Sequence, residues 1–141
     1  MRRIWTVIVM AFAASTVVYG FVAFLMTMGA RPPDWPAPPQ SVSWVLHAFA
    51  ALSLLGGMIL FTRSTEPAEI PPPRFMQRTI LSLALCAAAA LAGMALAVLL
   101  RSVTAYIAPG LAVFAVMVLF ILPRGLQYWG LVESASTRRR P

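Results

Sequence analysis

The stretch TILSLALCAAAALAGMALAVLL, Thr79 to Leu100, is apolar from end to end and stands between Arg78 and Arg101. Its 22 residues, at about 1.5 Å each in a helix, reach about 33 Å, which matches a hydrocarbon core of about 30 Å. A helix closes its own backbone hydrogen bonds, and lipid leaves a spanning segment few other options. The reading is therefore a transmembrane helix. Its middle is also thin, because Ala87 to Ala90 carry nothing larger than a methyl group. A thin helix packs closely against its neighbours.

The same spacing recurs downstream, where another 22 residues separate Arg101 from Arg124. Upstream, two more apolar segments complete the set. The four predicted helices cover residues 4–28, 42–62, 79–100 and 103–122. The fold class this implies is all-α, a four-transmembrane-helix bundle forming one integral membrane domain. Residues 123–141 follow as a juxtamembrane tail. Composition agrees: 60% of the 141 residues are hydrophobic and 11% charged, whereas a soluble domain is roughly 25% charged. Mean hydropathy is +0.82. MRRIWTVIVMAFAAS, residues 1–15, has the basic start and small-residue AFA of a cleavable leader. The apolar run continues without a break to Met28, so an uncleaved first helix is the expectation.

Charge sets the orientation. Arg2, Arg3, Arg63, Arg74, Arg78, Arg124, Arg138, Arg139 and Arg140 fall on one side of the four segments, and Arg31 and Arg101 on the other. The positive-inside rule places both termini and the middle loop in the cytoplasm. All eleven basic residues are Arg, the usage of a GC-rich bacterial genome, so the expected location is a bacterial inner membrane. The net charge of +7 is explained by this topology, and nucleic acid is not an expected partner. Membrane lipid is, together with a homo-oligomer or a larger membrane complex. The tail STRRRP adds about 1 kcal/mol of attraction to anionic lipid per Arg.

Two connections are proline-rich, RPPDWPAPPQS (31–41) and STEPAEIPPPR (64–74), and read as extended spacers. Trp35 and Trp44, and Tyr128 and Trp129, stand near segment ends as interfacial aromatics, with RGLQYWGLV (124–132) lying along the membrane surface.

Small residues recur at four-residue spacing. Ala84, Ala88 and Ala92 form one row of the third helix, and Ala89, Gly93 and Ala97 another. Thr16 and Gly20 repeat the spacing in the first helix, as do Ser53 and Gly57 in the second. Such rows let two backbones approach, and dispersion then drives association where lipid supplies no hydrophobic effect. Packing within one bundle is favoured over an oligomer interface, since three of the helices carry such positions.

Chemistry is sparse. The spans hold no Asp or Glu, one histidine (His47) and one cysteine (Cys86), which excludes an intrachain disulfide and an ordinary metal cluster. No serine, histidine and acid set and no phosphate-cradling glycine loop is present, so no catalysis, no cofactor and no metal are expected. His47 is the one candidate for haem, quinone or proton binding, and a solvated neutral imidazole near the interface is the simpler reading. Cys86 reads as a small apolar residue, and Pro109 as a kink or an early-turn proline of the fourth helix.

Sliding residues 6–25 onto 79–98 aligns Thr6 with Thr79, Ala11 with Ala84, Ala14 with Ala87 and Gly20 with Gly93. The ends ILFTR (59–63) and FILPR (120–124) then correspond, suggesting two repeated helical hairpins. In its Ala/Gly-rich first helix of each half and these span ends, the chain resembles the proteolipid (c) subunits of rotary ATPases. The resemblance implies paired hairpins over most of the chain. That family holds an ion-binding carboxylate within a helix, and its hairpin loops face the cytoplasm. Here no span contains a carboxylate and charge puts those loops outside, so no binding residue carries over. The expected function is a non-catalytic structural, assembly or accessory role. A small oligomeric transporter or channel component, or a haem- or quinone-binding subunit using His47, are the alternatives.

Overall fold

The computed structural model describes residues 1–28, 39–63 and 71–138. Helix α1 runs Arg2–Met28, α2 Gln40–Thr62 and α3 Pro72–Leu100. Helix α4, Thr104–Ala115, passes through a π-helical turn, Val116–Ile121, into α5, Leu122–Arg138. Four helices are long and apolar enough to cross a membrane, the fourth running Thr104–Ala135. The chain is an all-helical, multi-pass membrane protein. Most of the two proline-rich connections, with Arg31, Asp34, Trp35, Glu66 and Glu69, lies outside the described residues, as do Arg139 and Arg140.

Helix α3 is the hub. It packs against α1, α2 and α4, whereas α1 and α2 pack on α3 rather than on each other. The hub buries eleven residues along its length, while α2 buries only Ala50, Ser53, Gly57 and Phe61. This explains the alanine run: a helix crowded by three neighbours has room for few large side chains. Its remaining face, with Gln77, Leu81, Ala84, Leu91 and Val98, stays exposed.

Two boundaries differ from the expected ones by several residues, each for a local reason. Helix α3 begins at Pro72 rather than Thr79, because Pro71 stands extended (φ −65°, ψ 146°) and Pro72 and Pro73 occupy the first turn. Proline is well suited there: φ is already helical, and the missing N–H would have had no acceptor. The prolines that read as spacer therefore start a helix. Its far end closes on Arg101 in the left-handed conformation (φ 51°). The Ser102 N–H reaches the Ala97 carbonyl at 3.0 Å and the Arg101 N–H the Val98 carbonyl at 3.3 Å, the Schellman pattern.

The second difference is the tail. Residues 122–138 continue the fourth helix instead of lying free on the surface, and Tyr128 and Trp129 are buried. Pro123 accounts for the π-helical turn before it. In an unbroken α-helix its ring would strike the Leu119 carbonyl, and widening the turn relieves that clash. Tyr128 then stacks on Phe75 with centroids 3.9 Å apart and planes at 15°. Trp129 stands edge-on to Phe75 at 5.9 Å, and Trp5 and Phe61 lie against the same ring at 6.1 and 6.2 Å. Gly125 makes the approach possible, since a Cβ there would fall 2.0 Å from the Trp5 ring.

Side-chain bulk is therefore graded along the bundle. Its Arg-rich end is filled by aromatics. Its opposite end closes on Ala23, Ala97 and Tyr106.

Candidate functional site: the small-residue packing surface

Among the small residues singled out in the sequence, Thr16, Ser53, Gly57, Ala89, Ala92, Gly93 and Ala97 are buried, and Gly20 and Ala88 half-buried. Ala84 is exposed. The Ala84, Ala88 and Ala92 row is thus not a single contact: it turns from the outward face of α3 into the interior, while Ala89, Gly93 and Ala97 stay inside throughout.

These residues form two contacts. Between α2 and α3, a Cβ on Gly57 would lie 3.0 Å from the Ser82 carbonyl oxygen and 3.1 Å from the Cys86 sulfur. The backbones touch at that point. Ser82 uses the proximity, its hydroxyl donating to the Gly57 carbonyl at 2.6 Å. Cys86 is fully buried and acts as the small apolar filler expected of it.

The second contact is built around Tyr106 of α4, which sequence reasoning passed over. Its hydroxyl donates to the Thr16 carbonyl of α1 at 2.5 Å. Its ring is packed against three glycines, and a Cβ would come within 2.9 Å of it at Gly20, 3.4 Å at Gly93 and 2.5 Å at Gly110. Gly93 also faces Pro109, whose Cγ would be 2.6 Å from a new Cβ. Pro109 therefore lies inside α4 as a packing residue against α3. The signal in the sequence was present: Tyr106 and Gly110 stand one turn apart in an apolar segment, so a polar-tipped ring is offered its own cleft.

Two further buried hydroxyls bond within their own helices. Thr16 donates to the Ala13 carbonyl and Thr79 to the Phe75 carbonyl. Only the indole N–H groups of Trp5 and Trp129 are buried without a hydrogen-bond acceptor among the described residues. Beside Tyr106, an apolar groove of about 360 Å³ opens between α1 and α4, with Thr16, Gly20, Gly110 and Phe114 in its walls.

His47 stands apart from all of this. It is exposed on the N-terminal half of α2, where Trp44, Val45 and Phe49 are exposed as well. Its Nδ1–H donates to the Ser43 carbonyl one turn back at 2.7 Å, and the Trp44 ring is 6.5 Å away. Among the described residues no three His, Cys, Asp or Glu side chains gather where they could hold a metal. Set against protein-family models, curated proteins and solved structures, the chain matches none.

Proposed function

We propose that this chain is a non-catalytic protein of the bacterial inner membrane, both termini cytoplasmic, with a structural, assembly or accessory-subunit role exercised through helix packing. One observation carries the reading. The interior polar groups that reach across helices, Ser82 and Tyr106, each donate to a backbone carbonyl of a neighbouring helix. They hold helices in register, and the groove beside Tyr106 is apolar. A carrier needs a group at mid-membrane that changes charge or coordinates the ion.

The test is the state of the protein in its own membrane. Extracted in mild detergent and sized on a native gel, it should run as a stoichiometric complex well above its 15.3 kDa monomer. In-membrane cross-linking should recover the same species. A monomer by both measures would remove the assembly role.

A second reading has its own observation. With Nδ1–H bonded to the Ser43 carbonyl, His47 leaves Nε2 free to accept or to ligate, the arrangement metal-binding histidines commonly use. Purified protein titrated with haem should show no Soret shift that His47→Ala abolishes. Such a shift would favour the haem-binding alternative.

A further inference from the structure

The Arg-rich end carries a second recess, separate from the packing surface. It is about 860 Å³ and lies between the first turns of α1 and the inner extension α5. Arg2, Arg3 and Thr6 line its rim, Val7 and Leu126 its apolar side, and Glu133 its far wall. Arg2 is committed: its guanidinium pairs with the Glu133 carboxylate at 3.1 Å. Arg3 is not, since no described residue pairs with it. Among the described side chains the recess therefore presents one guanidinium in excess of its acid, beside two hydrophobic side chains.

Depth decides what such a recess meets. Helix α1 has 27 residues, about 40 Å of helix against a core of about 30 Å, so its end turns stand at headgroup level. Arg2 and Arg3 are in the first of those turns. A soluble anion would be held by charge alone and would leave Val7 and Leu126 wet. A phospholipid brings a phosphodiester for Arg3 and hydrocarbon for the side chains below it, in one molecule and at the right height.

We propose that this recess is a binding site for an anionic phospholipid, with Arg3 holding the phosphodiester and the Arg2–Glu133 pair fixing the far wall. The site goes beyond the assembly role and is independent of it. An anionic headgroup is selected because a zwitterionic one brings a cation beside Arg3, which cancels the attraction. The lipid ties α1 to α5 and so stabilises the folded chain by mass action.

Thermal unfolding in detergent tests this, with phosphatidylglycerol, phosphatidylcholine or soluble glycerophosphate added to the full-length protein. Phosphatidylglycerol should raise the midpoint in a saturable way, and the other two should not. Arg3→Gln should at least halve the rise, while Arg74→Gln, an exposed Arg at the same end of the bundle, should leave it intact. Val7→Trp keeps every charge but fills the recess, and should also reduce the rise. Because Arg3 and Val7 are exposed, neither change should impair folding, which the midpoint without lipid checks. Equal stabilisation by phosphatidylcholine would overturn headgroup selection, and full stabilisation by glycerophosphate would make the ligand a soluble phosphate. An equal loss in Arg74→Gln, or an undiminished rise in Val7→Trp, would replace a site with diffuse attraction.

Discussion

At Gly93 helix α3 meets α4 closely, and there a single methyl group has nowhere to go. A Cβ at that position would overlap Pro109 of α4 and touch the Tyr106 ring. Pro109 cannot swing aside, because its ring is fused to the backbone. Overpacking of this kind costs typically 1 to 3 kcal/mol. Gly93→Ala should therefore lower the thermal midpoint in detergent, and Gly93→Leu should lower it further. Gly130, with nothing within 4 Å of a new Cβ, should accept Ala without loss, and Leu99→Phe on an exposed position should be neutral. Equal tolerance of Gly93→Leu and Leu99→Phe would contradict the close approach. Arg101 is the opposite case. It holds a left-handed conformation (φ 51°) that costs an ordinary residue about 1 kcal/mol and glycine almost nothing. Arg101→Gly should raise stability by up to that amount in the same assay. A loss would mean that the Arg101 side chain contributes more than its backbone costs.

The elements show which parts of the fold were legible and why the rest was not. The spans could be read because apolar length and flanking Arg depend on the sequence alone. What lay hidden depends on contacts between segments. The proline run at 71–73 has the same composition whether it spaces or starts a helix, and only the chain beyond it decides. Tyr128 and Trp129 look interfacial until the π-helical turn at Val116–Ile121 rotates them towards Phe75. The rows of small residues are visible in the sequence, but not which of their positions stay exposed, as Ala84 does. Tyr106 is hidden because the glycine spacing shows that a space is left and not which side chain fills it. Phe75 should carry the docking of α5, since four rings meet it. Phe75→Ala, at a typical cost of about 3 to 5 kcal/mol for a buried aromatic, should loosen that extension and speed tryptic cleavage after Arg124. Phe21→Ala, on an exposed face, should leave the cleavage rate unchanged. No acceleration in Phe75→Ala would show that α5 is held elsewhere.

For the molecule as a whole, the Arg distribution and the graded bulk run along the same axis. The end crowded with aromatics is the end that carries Arg2, Arg3, Arg63, Arg74, Arg78 and Arg124. Reporter fusions should place Ile70 and Pro141 on the cytoplasmic side, and Ala37 and Ser102 outside. A cytoplasmic signal at Ala37 would invert the orientation and bring the loop direction back into line with the proteolipid subunits. The account turns finally on what the interior is for. Ser82 and Tyr106 tie neighbouring helices together, the Cys86 thiol fills space, and His47 lies on an outward face. Proton flux in liposomes containing the purified chain, measured from about pH 5 to 8, tests this most directly. Flux equal to that of empty vesicles throughout the range is the predicted result, and a reproducible flux abolished by His47→Ala would contradict it.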